Sequence, residues 1–323
     1  MMLHSRFAVP NGAGWDLDVR HYFDPTRRDP RLPPVVMIPG YCMNSFILDY
    51  HPAGESLIGH LAAQGFEVWA GNLRGQGDSK RRRGRRSYGF ADLALVDVPE
   101  VLRFVGRHNH SERDGVALVG CSLGATIAYT YLAHFHDDHG VELLVNFGGP
   151  LRWNRVHPLV YLLSRRPSLI GMVPVRGTRH LMRQAVPWAQ RFPWLVSFYL
   201  NPDIVDLSHA DELVKTIDDP SRRLNFEIAR WIKNKELVVQ GLNVCHSLYS
   251  ITAPLLCIVA GQDGIVTPEA ALSILDSIGS ADTEVIEVGT DDIPHAHADL
   301  FLADGAHEHV YQPLARWLRS RSL

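Results

Sequence analysis

Residues 115–135, GVALVGCSLGATIAYTYLAHF, decide the fold of this chain of 323 residues. The first six residues, GVALVG, form a short apolar run of the kind that a parallel sheet buries on both faces. From residue 125 onward the apolar residues recur at helical spacing. The junction between them, residues 120–124, has the pattern G-x-S-x-G. A strand that turns sharply into a helix at such a pattern lifts the serine hydroxyl above the edge of the sheet.

Ser122 is therefore the candidate nucleophile. The free N–H groups at the start of the following helix suit a developing negative charge on a substrate oxygen. The alternative is a glycine-rich turn in which Ser122 only caps the helix.

Further apolar runs indicate the rest of a sheet. Residues 15–23 alternate apolar and polar side chains, as a half-buried strand does. Residues 93–105 show helical spacing between two of the runs. This order predicts an α/β fold, with a mostly parallel central sheet and helices on both faces. The continuous apolar runs are residues 35–38, 66–70, 115–120, 141–147, 254–260 and 283–288.

One long segment, residues 151–249, interrupts this alternation. It lacks an obvious strand and contains helical stretches at 158–163 and 225–237. We expect residues 1–150 and 250–323 to form the core and residues 151–249 to form a helical cap. The segment is rich in aromatic residues, which we expect to be buried and partly to line an apolar pocket. They are Trp153, Trp188, Phe192, Trp194, Phe198 and Tyr199.

Composition narrows the class of protein. The net charge of -3 and the pI near 6.6 do not favour nucleic acid as a general partner. The four cysteines follow no metal-binding spacing, and a disulfide framework is not expected in a chain of this length. The chain shows neither a signal-peptide pattern at its start nor a run of about 20 apolar residues, so we expect a cytoplasmic protein without a transmembrane segment. The basic run at residues 80–86, KRRRGRR, predicts a solvated loop, with phosphate, coenzyme A or an anionic membrane as alternative partners.

A serine hydroxyl needs a base, and the base needs a carboxylate to orient it. Asp263 follows the run at 254–260 directly, where the end of a strand delivers side chains to a site. The alternative for Asp263 is an ordinary Asp-Gly turn. His297 follows the last strand-like run and precedes a predicted closing helix at residues 300–318, whereas His307 and His309 lie within that helix. His295 remains the rival base.

We expect two backbone N–H groups to stabilise the oxyanion that forms on the substrate. One belongs to Leu123, directly after the nucleophile, and the other to Tyr41, in the loop after the strand at 35–38. The Tyr41 ring itself could equally serve packing. No motif in the chain indicates a cofactor or a metal.

Together these motifs resemble the α/β-hydrolase superfamily, from about residue 35 to residue 317. The family's His-Gly turn corresponds to Pro39-Gly40, with proline in place of histidine. Its remaining motifs correspond to residues 72–79 (NLRGQGDS), 120–124 (GCSLG), 261–263 (GQD) and 297–299 (HAD).

Two motifs, residues 297–300 and 97–99, are similar to those of acid lipases and polyhydroxyalkanoate synthases. The resemblance implies a cysteine nucleophile in the synthases, whereas the central position here is Ser122 and Cys121 is its neighbour. The esterase or lipase branch is therefore favoured. The expected reaction is hydrolysis of an ester with an apolar acyl part through an acyl-enzyme, on a small-molecule substrate. An acyltransferase, a thioesterase and a non-catalytic binding protein of the same fold are the alternatives, and the oligomeric state is left open.

Overall fold

The computed structural model describes residues 2–156, 161, 164, 176–192, 194 and 196–323. Its strands follow the apolar runs of the sequence closely. They are β1 (Leu3–Pro10), β2 (Trp15–Phe23), β3 (Val35–Ile38), β4 (Val68–Asn72), β5 (Lys80–Arg81), β6 (Val116–Cys121), β7 (Val141–Phe147), β8 (Val238–Val239), β9 (Leu242–Asn243), β10 (Leu255–Ala260) and β11 (Thr283–Val288).

The central sheet of the described chain has the order β1-β2-β4-β3-β6-β7-β10-β11, and β5 pairs with β2. The six strands from β4 to β11 along this order pair in parallel, and β1 and β2 form an antiparallel edge. Strand β6 lies in the interior of the sheet, with β3 and β7 as neighbours. The carboxyl ends of the parallel strands therefore meet at one edge, which is where an open α/β sheet presents its site.

Helices cover both faces of this sheet. The α-helices are α1 (Leu57–Ala63), α2 (Phe90–Asp92), α3 (Val98–His108), α4 (Leu123–His134), α5 (Thr178–Arg191), α6 (Ala210–Leu213), α7 (Arg222–Asn234), α8 (Val244–Ser247), α9 (Pro268–Ala271), α10 (Asp299–Leu302) and α11 (Gln312–Ser322). Shorter 3-10 turns lie at Ser45–Leu48, Val214–Thr216, Leu248–Ser250 and Leu272–Ile274, and wider π turns at Leu93–Asp97 and His307–Tyr311.

The strand pleat divides the core into two layers. Val36 and Ile38 pack with α3 and α4 on one face, whereas Val35 and Met37 pack with α1 and α11 on the other. Successive side chains of a strand point to opposite faces, so a strand covered on both sides must be apolar throughout. All four residues of β3 are fully buried. The predicted α/β architecture with a mostly parallel sheet is therefore confirmed.

Several local predictions differ from the structure. Strands β1 and β5 were not expected from the sequence. The small β8–β9 hairpin in residues 151–249, the segment that we call the insertion, was not expected either. The predicted closing helix at 300–318 is interrupted between α10 and the π turn at His307, because the backbone N–H of Asp304 donates to Ile204 O of the insertion at 2.8 Å instead of continuing the helix. The helical stretch predicted at 158–163 falls mostly outside the described residues.

The aromatic residues of the insertion are less buried than predicted. Trp153 is 6% exposed, but Trp188 and Trp194 are 61% and 70% exposed, and Phe192 and Phe198 are exposed as well, so the expectation of burial was wrong for these four. The division of the chain into core and cap remains a prediction. No helix in the described part of the chain is long and apolar enough to cross a bilayer.

Two other sequence features have clear places. The basic run 80–86 contributes β5 and then an exposed turn, in which Arg82 donates to Asp16 at 2.6 Å. All four cysteines are free thiols.

A buried ion pair fixes the loop after β4. Asp97 is fully buried, and its two carboxylate oxygens accept hydrogen bonds from the Arg74 side chain at 2.7 and 2.8 Å. Asn11 donates to the same carboxylate at 2.7 Å, which ties in the turn between β1 and β2. Residues from three separate parts of the chain thus share one buried charge pair.

Asp97→Asn should lower the free energy of unfolding by about 3 kcal/mol, because it removes the buried counter-charge of the Arg74 guanidinium and leaves only the partly exposed Asp92, 3.2 Å away, to pair with it. Urea denaturation followed by circular dichroism measures this. Asp282→Asn is the matched control: it removes an exposed pair with Arg321 and should cost less than about 1 kcal/mol. Equal losses in the two variants would contradict the role assigned to the buried pair.

Candidate active site

Ser122 lies at the turn between β6 and α4 with a left-handed backbone, φ 53° and ψ -123°. A non-glycine residue rarely adopts such a conformation, and it costs on the order of 1–3 kcal/mol unless the surroundings impose it. Here the Ser122 N–H donates to Phe147 O at 2.7 Å, and Ser122 O accepts from Ala125 N at 3.0 Å. The turn predicted from G-x-S-x-G is therefore present. Hydrogen bonds to β7 and α4 stabilise its strained backbone.

The two glycines of the motif are required by close contacts. A Cβ atom on Gly120 would lie 2.3 Å from Ala125 Cα, and one on Gly124 would lie 2.2 Å from Ile38 O. Both distances are far below a van der Waals contact. The glycines therefore let the helix start directly against strands β3 and β6.

His297 and Asp263 form a buried pair at the same edge of the sheet. His297 Nδ1 is hydrogen-bonded to Asp263 Oδ2, and the two residues are 4% and 6% exposed. The second carboxylate oxygen, Oδ1, accepts the backbone N–H groups of Ile265 and Val266, both at 2.8 Å. These two backbone bonds hold the carboxylate in place. Its orientation in turn determines that Nδ1 is the imidazole nitrogen that pairs with it.

Opposing effects act on the pKa of His297. Burial lowers it, but the charge of Asp263 and the hydrogen bond to it outweigh burial, so the pKa of His297 is raised above its ordinary value. An imidazolium that forms at this position is therefore stabilised by the adjacent carboxylate.

The loop after β7 brings the pair and the serine together. A Cβ on Gly148 would lie 3.5 Å from His297 Cε1 and 3.7 Å from Asp263 Oδ2. A Cβ on the next residue, Gly149, would lie 2.4 Å from Ser122 O. Two consecutive glycines thus lie beside the two halves of the candidate triad. A side chain at Gly149 would clash, whereas Gly148 is favoured by its positive φ of 58°.

The rival base, His295, makes its side-chain hydrogen bond to another partner than Asp263. Its Nδ1 is hydrogen-bonded to Ile293 O at 3.1 Å, and burial lowers its pKa. Two other carboxylates near His295 and His297 in the sequence, Asp291 and Asp292, are exposed. The geometry therefore favours His297 and Asp263 among the candidates.

The segment 151–249 contacts the loops that carry Asp263 and His297 through one short stretch, residues 198–201, which we call the strap. Phe198 O accepts from Gly264 N at 3.0 Å, beside Asp263, and Tyr199 O accepts from Ala298 N at 2.8 Å, beside His297. The role of the strap could not be found from the sequence, because its bonds to Gly264 and Ala298 use backbone atoms. The Asn201 side chain adds a hydrogen bond to Pro294 O at 2.8 Å.

Asp299 joins the strap to the histidine loop. Its fully buried carboxyl accepts the backbone N–H groups of Asn201 at 3.0 Å and Ala296 at 2.7 Å. Burial raises the pKa of Asp299 to about 7, since little solvent reaches it. The H-x-D motif identified this residue from the sequence, but no role could be assigned to it there.

A mostly apolar cavity of about 300 Å³ opens beside Ser122. Tyr41 and Leu123, the predicted oxyanion donors, both line it. Gly40 precedes Tyr41 and passes so close that its Cβ would lie 2.8 Å from Ser122 Cβ. The Tyr41 hydroxyl donates to Asn225 at 2.8 Å, so the ring links this loop to α7 as well as packing.

Two thiols near the serine are poorly suited to attack. Burial raises the pKa of Cys42 to about 12, and it raises that of the fully buried Cys121 further still. Because the thiolate is the reactive form of cysteine, neither side chain competes with Ser122.

Known proteins match parts of this chain in sequence. A probable lipase of Schizosaccharomyces pombe is 33% identical over 110 residues, which are 32% of this chain and 24% of the lipase. A poly(3-hydroxyalkanoate) polymerase subunit of Haloferax mediterranei is 24% identical over 312 residues, which are 90% of this chain and 59% of the subunit. The chain thus spans about a quarter to three fifths of the length of these curated relatives.

Solved structures share the whole fold. A thermophilic esterase from Thermogutta terrifontis superposes with a TM-score of 0.62 at 15% identity, covering 99% of this chain and 100% of the esterase. The sequence profile of the alpha/beta hydrolase fold family matches residues 33–307, which is most of the chain. With the sheet order and the turn at Ser122 described above, this establishes that the chain belongs to the alpha/beta hydrolase fold family.

Proposed function

We propose that this chain is a serine hydrolase that cleaves a carboxylic ester with an apolar acyl part. The observation that carries the proposal is the strained Ser122 turn at the sheet edge that also holds the buried His297–Asp263 pair. The similarity to a probable lipase and to an esterase supports ester chemistry.

In the proposed mechanism, Ser122 Oγ attacks the ester carbonyl and His297 takes its proton. With Nδ1–H donating to Asp263, the neutral imidazole has its lone pair on Nε2, the atom required for this transfer. The alcohol leaves with the proton that His297 returns, and an acyl-enzyme remains on Ser122. Water then attacks this intermediate by the same steps and releases the acid.

The negative oxygen of each tetrahedral intermediate is proposed to accept hydrogen bonds from the N–H groups of Leu123 and Tyr41. Leu123 is the first residue of α4, so its N–H is not used within the helix, and the helix dipole adds to its effect. The Pro39-Gly40 turn still allows the second donor, since that donor is a backbone group and does not depend on the family's usual histidine.

The acyl part is proposed to bind in the cavity beside Ser122. Helix α7 contributes Asn225, Ile228, Ala229 and Ile232, which recur three and four residues apart and therefore lie on one face. Trp153 and Val266 add further apolar wall. A cavity of this composition favours an aliphatic or aromatic acyl group over a charged one.

Transfer to an alcohol or amine, and cleavage of a thioester, would use the same residues. A panel of p-nitrophenyl esters and acyl-coenzyme A thioesters, assayed with and without acceptor alcohols, separates these reactions. A non-catalytic protein would turn over none of them and would not react with a fluorophosphonate.

Ser122→Ala should reduce kcat for any hydrolysed ester by several orders of magnitude, because the attacking oxygen is lost. Mass spectrometry of the wild type after fluorophosphonate treatment should find the adduct on Ser122. Cys121→Ala is the control and should keep its activity. An adduct elsewhere, or full activity in Ser122→Ala, would rule out the mechanism.

His297→Ala should be about as damaging as the serine change, and His295→Ala much milder, because only His297 contacts Asp263. Wild-type kcat/KM should rise with pH with an apparent pKa above that of free histidine, since the pKa of His297 is raised and the base must be neutral. Asp263→Asn should move the pH at which kcat/KM rises to a lower value, and it should also slow turnover. An inactive His295 variant beside an active His297 variant would reverse the assignment.

Along a series of esters from acetate toward octanoate, kcat/KM should increase until the cavity is filled. Each buried methylene contributes about 0.8 kcal/mol, or about fourfold in kcat/KM. Ile228→Phe should shift the optimum to shorter chains by filling the cavity. Arg230→Phe, which introduces the same side chain on the exposed face of α7, should leave the optimum unchanged. A flat or falling wild-type series would contradict an apolar acyl site.

A further inference from the structure

A second cluster of ionisable side chains lies at the opposite edge of the sheet from Ser122. Glu67 directly precedes β4, His21 lies on the antiparallel neighbour β2, and His110 lies in the loop between α3 and β6. The proposed hydrolysis does not use these residues. Their donor atoms all lie within 4.8 Å of one another.

The carboxylate of Glu67 is at the centre of the cluster. Its Oε1 lies 2.8 Å from His21 Nε2 and 3.3 Å from His110 Nδ1. Its other oxygen, Oε2, accepts the backbone N–H of His110 at 3.0 Å, which fixes the orientation of the carboxyl group. Glu67 and His21 are each only 4% exposed.

The contact between His21 and Glu67 is unusual. Despite the short distance, the ring N–H direction misses the carboxylate, and buried His21 Nε2 has no hydrogen-bond partner among the described residues. A buried ring nitrogen without a partner is costly. A cation between two donor atoms lies off the line that joins them, so this misalignment suits shared coordination better than a direct hydrogen bond.

The cluster is also preorganised and accessible. The His21 ring stacks on Trp69, with centroids 3.8 Å apart and planes 6° apart, which holds Nε2 toward Glu67. The His110 side chain is 56% exposed, so an ion can enter from solvent and retain a water ligand. Arg28 lies 3.8 Å from Oε2 and weakens the attraction for a cation.

We propose that His21, Glu67 and His110 form a binding site for a divalent transition metal, with Zn²⁺ as the best match. Two imidazole nitrogens and one carboxylate oxygen are a donor set that Zn²⁺ takes, with water in the fourth position. Tetrahedral bonds of about 2.0–2.1 Å place ligand atoms about 3.4 Å apart. The Glu67–His110 distance of 3.3 Å matches this spacing, whereas the buried His21 and Glu67 atoms, 2.8 Å apart, must separate by about 0.6 Å when the ion binds.

The site cannot be recognised from residue spacing, because its ligands lie at positions 21, 67 and 110. It is also independent of the proposed hydrolase activity. Glu67 and His110 precede the amino ends of β4 and β6, whereas Ser122 follows the carboxyl end of β6.

Titration of the untagged, EDTA-treated full chain with ZnCl₂ by isothermal calorimetry tests the proposal, with visible absorption of bound Co²⁺ as a report on tetrahedral geometry. The wild type should bind one Zn²⁺ at micromolar concentration with a rise in Tm. His110→Gln should weaken binding by at least about 100-fold, because loss of even an outer partner costs 10–100-fold. His108→Gln, an exposed histidine on the same segment, is the matched control and should bind like the wild type.

Ester hydrolysis should be equal in these three proteins, which shows that each is folded and keeps the two hypotheses separate. The proposal is overturned if the wild type shows no saturable binding, or if His110→Gln binds like the wild type. It is also overturned if only His307→Gln abolishes binding, since that result would place the ion at the other His/Glu cluster, Glu55, His60 and His307.

Discussion

The strained backbone of Ser122 is the constraint on which the rest of the site depends. A left-handed conformation at a serine persists only when the surrounding structure leaves no alternative. Here the interior strand β6 enters the turn, the buried helix α4 leaves it, and the loop after β7 closes over it. Each approach requires a glycine, at Gly120, Gly124 and Gly149, because a side chain would clash. The serine is therefore presented by rigid elements and not by a mobile loop.

The proposed partners of Ser122 come from two loops, one of which holds the Asp263 carboxylate by its own backbone N–H groups. Asp263 and His297 follow different strands, and their positions depend on backbone hydrogen bonds from the strap at residues 198–201. The insertion therefore has two contacts with the site, since α7 lines the cavity and the strap holds both loops. Under the proposed mechanism, this arrangement couples the shape of the proposed acyl site to the position of His297, so changes in residues 151–249 are expected to alter both substrate preference and turnover.

Charge in the buried site is also balanced by geometry. Asp263, His297 and Asp299 lie close together with little solvent, and three ionised groups there would include two negative charges. Burial raises the pKa of Asp299 to about 7, so near neutral pH a large share of its carboxyl groups are uncharged. The Asp263 carboxylate accepts two backbone N–H groups and is hydrogen-bonded to the imidazole of His297. The surroundings of the two carboxyl groups therefore differ. Asp263 pairs with the imidazole, whereas Asp299 accepts only backbone N–H groups among the described contacts.

The sequence by itself determined the features that local chemistry controls. Apolar runs identified the parallel strands because both faces of those strands are buried, and G-x-S-x-G located the turn because only glycine fits beside it. Asp263 and His297 could be selected because the carboxyl ends of parallel strands meet at one edge, although their catalytic roles remain predictions.

Only the tertiary structure decided the contacts between distant segments. It separated His297 from His295, since two histidines in one loop are equivalent until the carboxylate's direction is known. It revealed the strap, whose bonds to Gly264 and Ala298 use backbone atoms and therefore leave no trace in residue type. The tertiary structure also leaves Trp188 and Trp194 exposed to solvent, and it brings His21, Glu67 and His110 together. Such outcomes depend on how elements pack in space, and a one-dimensional pattern carries no record of that packing.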